Sequence, residues 1–157
     1  MLTLTYVVSH DRISAMEDVG ATRRAVAFRV RPKTLQRLQR LARESGQTQT
    51  ALAERYIDEG MRTDEHPLIY FRAGAAGRRP AIIGTRLDVW QVVETLRAHA
   101  GSVVATAAYL EVSEPKVRAC VRYYAEFADE IDQWIERARD IASREEERWR
   151  REQRLLG

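Results

Sequence analysis

The chain has 157 residues, with 26 Lys+Arg against 23 Asp+Glu and a net charge of +3. Its hydrophobic content of 45% excludes a disordered chain, and its single cysteine excludes an internal disulfide framework. No apolar run approaches the ~20 residues of a membrane span, and no charged start leads into an apolar export segment. The expectation is therefore a reduced, cytoplasmic protein with no membrane partner.

Residues 1–21 show no sustained period and read as a flexible arm; either Met1 or Met16 can be the start. From Arg23 the pattern changes. Val26, Phe28 and Val30 alternate with Ala25, Ala27 and Arg29, a period of two that predicts a strand. Pro32 ends it and opens a helix whose apolar side is Leu35, Leu38, Leu41 and Ala42. Gly46 breaks that helix. Thr48 caps a second one, with Leu52, Tyr56, Ile57 and Met61 on its apolar side.

A strand and two helices in about 40 residues cannot bury a core alone. Two copies can, by pairing their strands into an antiparallel ribbon. The outer face of that ribbon would carry Ala25, Ala27 and Arg29, and such a ribbon fits the DNA major groove. Charge is compatible with this. Residues 22–50 hold eight basic groups and one acid, whereas 129–157 hold seven basic and nine acidic groups. A solvated helix face explains the charge alone equally well.

The AVAFRV segment, the Leu-rich TLQRLQRLARESG and the following TQTALAERYIDEG resemble the Arc/MetJ/CopG-type ribbon-helix-helix superfamily over residues 23–62. The resemblance implies base reading by Ala25, Ala27 and Arg29. It implies phosphate contacts from Arg23, Arg24 and Arg31, and from the backbone amides of Thr48 and Gln49. Alanine touches only a thymine methyl, so direct readout would rest on Arg29, whose bidentate grip on guanine is worth ~1–3 kcal/mol.

Further along, Leu68–Phe71 and Ala81–Ile83 read as two short strands, with AGAAGRRP as a loop between them. Gly84-Thr85-Arg86 is a turn. Asp88 opens a helix, and Gln91 completes a capping box. Val89, Val92, Val93 and Leu96 form its apolar stripe, which Ala100-Gly101 ends. Val103, Ala107 and Leu110 mark a short helix, followed by a turn at Glu111-Val112. Ser113 and Pro115 begin another, whose inner face is Val117, Cys120, Val121 and Tyr124. This is a helix-turn-helix rhythm with Glu111 in place of the usual turn glycine.

Pro80, Ile82, Gly84-Thr85-Arg86, Val89, Val117, Tyr123-Tyr124 and Glu130-Ile131 resemble a small helix-turn-helix domain family that occurs in toxin–antitoxin operons. Its role here is open between protein assembly and a second DNA contact. From Ala128, the apolar residues Ile131, Trp134, Ile135, Ala138, Ile141 and Ala142 recur at helical spacing, with Trp149, Leu155 and Leu156 beyond. Such a helix packs on its own module, pairs with a second copy, or docks in a partner's groove.

The fold expected is mostly α: an arm (1–21), a ribbon-helix-helix dimerisation module (22–63), a hairpin plus helix-turn-helix domain (65–128) and a long amphipathic helix (129–157). Together these resemble a VapB-type antitoxin. That resemblance implies operator DNA, a PIN-like ribonuclease toxin and a second copy of the chain as partners. It implies toxin contacts through Ile131, Trp134, Ile135, Ile141 and Trp149. Arg148, Arg150 and Arg151 would enter the toxin's metal-binding carboxylates. A stand-alone dimeric regulator and an assembly scaffold are the alternatives. No catalytic constellation, cofactor fingerprint or metal-ligand spacing is visible: His10, His66 and His99 are far apart in sequence.

Overall fold

A computed structural model of the chain describes residues 26–27, 29–74 and 77–156. It contains, in order, α1 (Pro32–Glu44), α2 (Gln49–Glu65), β1 (Ile69–Gly74), β2 (Gly77–Ile82), α3 (Val89–Ala98), α4 (Val103–Tyr109), α5 (Glu114–Glu126) and α6 (Ala128–Leu156). The protein is mostly helical, with one two-stranded antiparallel hairpin and a long C-terminal helix. No helix among the described residues is long and apolar enough to cross a membrane.

The chain divides into two compact units, residues 1–56 and 57–157. The boundary falls within α2, between Tyr56 and Ile57, ahead of the break expected after residue 63.

In the first unit, Pro32 occupies the first turn of α1, where its missing N–H costs nothing. Ala42 and Leu52 are buried, and Leu35, Leu38 and Leu41 are partly so. The turn after α1 is a Schellman motif: the Gln47 N–H donates to the Ala42 carbonyl at 3.0 Å. Gly46 supplies the left-handed residue it requires, at φ +63°. Thr48 then caps α2, its Oγ1 accepting from the Ala51 N–H at 3.1 Å.

In the second unit, α3, α4 and α5 form a three-helix core against the hairpin and the first turns of α6. Its buried centre is Ile69, Ile82, Val89, Val92, Val93, Ala107, Val117, Cys120, Tyr123, Ile131 and Ile135. Fully burying each Val or Ile contributes about 1.5–3 kcal/mol before the cost of ordering it. The hairpin register pairs Ile69 with Ile82, Phe71 with Pro80 and Arg72 with Arg79.

Two expectations are corrected here. The AGAAGRRP segment is not a loop outside the hairpin tip: Ala73–Gly74 and Gly77–Pro80 lie in paired strand. Gly-rich composition reads as loop, but the strand ends gain their stability from cross-strand pairing and from Arg72 and Arg79, not from propensity. On α5, Val121 is 36% exposed, and Tyr123 is buried on the inner face instead. Val117, Cys120 and Tyr123 follow the i, i+3, i+6 line into the core. Tyr124 flanks it, its hydroxyl donating to Asp132 at 3.0 Å.

Candidate nucleic-acid and partner-binding surfaces

The expected ribbon residues fall partly outside the described part of the chain. Arg23, Arg24, Ala25 and Phe28 lie outside the described residues. Ala27 and Arg29 are exposed and in no strand of this single chain, as is Val26. Arg31 is the N-cap residue of α1, in extended conformation at φ −65°, ψ 145°. Thr48 and Gln49 are exposed at the start of α2.

Along α1, Lys33, Arg37, Arg40 and Arg43 are exposed. Arg40 meets Glu44 at 3.7 Å, a surface contact worth little. Among the described residues, no carboxylate pairs with Arg29, Arg31, Lys33, Arg37 or Arg43. The apolar side of α2 is split: Leu52 is buried, whereas Tyr56, Ile57 and Met61 are 43%, 45% and 55% exposed.

The turn between β2 and α3 and the helices after it give a structural basis for several of the sequence signals. At Gly84 the backbone takes φ +69°. The Thr85 hydroxyl donates to the Ile82 carbonyl at 3.0 Å and accepts from the Leu87 N–H at 3.1 Å. The Arg86 carbonyl accepts from Arg72 at 2.8 Å. Gly-Thr-Arg thus closes the turn between β2 and α3. Asp88 then caps α3, with Gln91 Oε1 accepting from the Asp88 N–H at 2.9 Å. Arg118 is paired with Glu114 on its own helix at 3.1 Å.

A second polar cluster holds the end of α2 to α5 and α6 within the second unit. The Arg62 guanidinium donates to Glu130 at 2.6 Å and to the Tyr123 hydroxyl at 3.0 Å, with Asp58 3.0 Å from its Nε. It also stacks 4.1 Å over the centre of the Phe127 ring. Burial alone would lower its proton affinity, but Tyr123 and Glu130 outweigh burial and raise it, so Arg62 is permanently charged. Burial, joined by the Glu130 charge, pushes the Tyr123 phenol up.

Near this cluster is a grouping that sequence spacing did not reveal. His66 is buried, with Nε2 3.3 Å from Glu126 Oε2. Glu65, His66 and Glu126 bring their donor atoms within 4.8 Å of one another. Glu126 is 60 residues from His66, so only the packing of α5 beside the end of α2 joins them.

On α6 the structure divides the expected partner-binding residues. Ile131 and Ile135 are 0% and 2% exposed and anchor the helix to its own core. They are corrected from partner contacts to core residues, because exposing them would cost the second unit two of its buried side chains. Trp134 is partly buried, near the hairpin at Gly77. Asp132 binds Arg97 at 2.8 Å, and Arg139 binds Glu94 at 3.0 Å. From Asp140 to Leu156 every residue is exposed, including Ile141, Trp149, Leu155 and Leu156.

Of the expected arginines, Arg148 pairs with Glu152 at 3.1 Å and Arg150 with Glu146 at 2.5 Å, each one turn away. Arg151 donates to the Glu147 carbonyl at 3.3 Å. Such exposed i, i+4 pairs contribute about 0.3–0.5 kcal/mol each and exchange readily for stronger partners. No family model matches the sequence, and comparison with curated proteins and with solved structures gave no match.

Proposed function

We propose that this protein is an antitoxin of a type II toxin–antitoxin system. It binds operator DNA as a dimer through its N-terminal unit and neutralises a PIN-like ribonuclease through its C-terminal helix. The observation that carries the reading is residues 140–156: they stay helical with every side chain exposed, and carry Ile141, Trp149, Leu155 and Leu156 with no cover among the described residues. A polar helix of that length is marginal alone and gains stability when an apolar partner covers it. Arg29, Arg31, Lys33, Arg37 and Arg43, with no ion pair among the described residues, support the nucleic-acid half of the reading. The exposed Tyr56, Ile57 and Met61 support a dimer.

Arg148, Arg150 and Arg151 would exchange their one-turn partners for carboxylates in the toxin's metal site, blocking it by charge. The test is a pull-down of the full chain against the chain ended after Asp140, a cut that spares Ile131 and Ile135. The full chain is expected to retain a stoichiometric small nuclease and to suppress its activity. The shortened chain is expected to fold, bind DNA and lose the nuclease. Neutralisation by the shortened chain refutes the assignment.

A stand-alone dimeric regulator is the second reading. The charge pairs within 146–152 favour it, because they let the exposed helix persist without a partner. DNA binding with no co-purified nuclease selects it.

A further inference from the structure

We propose that Glu65, His66 and Glu126 form a binding site for a divalent transition-metal ion of the zinc class. The donor set is one imidazole nitrogen and two carboxylate oxygens, a combination that suits zinc or cobalt better than calcium or magnesium.

The three donors already lie within 4.8 Å of one another. In a tetrahedral site with metal–ligand distances of ~2.0–2.2 Å, donors sit roughly 3.4 Å apart. The His66 and Glu126 atoms are 3.3 Å apart, so this pair has the required separation. Glu65 is exposed and can close the remaining gap by a change of rotamer.

The imidazole is held in place while the carboxylates are free to adjust. The His66 side chain is 5% exposed, and its ring packs edge-on against Tyr123 and Phe127 at centroid distances of 5.1 and 6.0 Å. Its Nε2 faces the Glu126 carboxylate. Preorganising the nitrogen ligand lowers the ordering cost of binding.

Local electrostatics also favour a cation. Glu65 is the last residue of α2 and Glu126 the last of α5, so two carboxyl-terminal helix ends, each carrying partial negative charge, meet at the site, and the amino-terminal end of α6 at Ala128 offsets part of that charge. The nearby Arg62 charge is compensated by Asp58 and Glu130. Three protein ligands leave one position for water or for a donor from a bound partner. A metal there would tie the end of α2 directly to the end of α5.

The test is a cobalt(II) titration of the full chain, followed by its visible absorption, with zinc as competitor. One equivalent is expected to bind and to be displaced by zinc. Melting is expected to shift upward with zinc concentration, as mass action requires. Glu65→Gln and Glu126→Gln keep the side-chain shape at exposed positions and spare the buried ring. Each is expected to weaken binding about tenfold or more while leaving the metal-free melting curve unchanged. Absence of saturable binding overturns the proposal, as does binding that either substitution leaves unaltered.

Discussion

Arg72 and Arg79 face each other across the hairpin as register partners, and both close on the same carboxylate, that of Asp88. Two cations directly opposite on a sheet repel. Here the repulsion is offset, because Asp88 is 2% exposed, gives one carboxylate oxygen to each guanidinium, and caps α3. One residue thereby joins β1, β2 and the first helix of the trihelical core. The Asp88 hydrogen bond is the main reason that Arg72 is held above its usual range.

Replacing Asp88 by Ala is expected to cost about 2–4 kcal/mol, since it removes a cap and leaves two guanidinium groups without their counter-charge. The partial exposure of both arginines keeps the cost below that of a fully buried pair. Asp88→Asn keeps the cap and is expected to lose roughly half as much. Urea denaturation measures both. Equal midpoints for Asp88→Ala and the unmodified chain would remove Asp88 from its role as the junction.

Three helices end in the same way with three different residues. α1, α3 and α4 all close with a Schellman bond: Gln47 to Ala42, Gly101 to Leu96 and Val112 to Ala107, at 3.0, 2.9 and 3.0 Å. The left-handed residue is Gly46 after α1, but Ala100 (φ 52°) and Glu111 (φ 54°) after the other two. A Cβ in that conformation is strained. Ala100→Gly and Glu111→Gly are each expected to stabilise the protein by about 0.5–1 kcal/mol, the relief exceeding the entropy glycine adds to the unfolded chain. Raised midpoints in chemical denaturation check this. A drop for Glu111→Gly would show that its side chain contributes more than its backbone strain costs.

These same residues show what was legible in the sequence. The core helices are legible because Val89, Val92, Val93, Ala107, Val117 and Cys120 fall at helical spacing and are buried. Glu111 made the turn look imperfect, because the backbone conformation is imposed by the packing of the helices around it and not by the local residue. The outer half of the hairpin is hidden in the sequence because Gly74, Gly77 and Pro80 signal loop, while its anchor is a carboxylate at position 88. On α6 the period continued smoothly from Ile131 to Ile141, so nothing local distinguished the buried start from the exposed end. That distinction depends on where the rest of the unit stops. The Glu65–His66–Glu126 grouping was invisible for the same reason: it is created by a contact between residues 60 apart.

Cys120 is expected to be inert in the native protein. Burial pushes its thiol up to about 12, so the reactive thiolate is scarce at neutral pH. A thiol-specific disulfide reagent at pH 8 is expected to react only as fast as the chain opens, and rapidly once the chain is unfolded. Because the folded state holds this proton more tightly, its contribution to stability is fully present below the ordinary thiol value. It is lost as pH rises from about 9 towards about 12. Cys120→Ala is expected to flatten the alkaline fall in stability. Immediate native-state labelling at neutral pH would contradict the burial that underlies the shift.

Asp132 makes the opposite prediction on the acid side. The Arg97 hydrogen bond, with Tyr124 assisting, holds its carboxyl below the usual aspartate range. A lowered folded value means that the ionised form stabilises the native state. The contribution is present above the ordinary carboxyl value of ~3.9 and is lost as pH falls through the folded one. The pair is more than a third exposed on both sides, so screening limits its effect to below about 1 kcal/mol. Asp132→Asn is therefore expected to be slightly less stable than the unmodified chain at pH 7 in low salt. The two are expected to converge as pH falls through the lowered Asp132 value, and added salt is expected to shrink the neutral-pH gap. A gap that persists in acid would mean that Asp132 acts through packing and not through its charge.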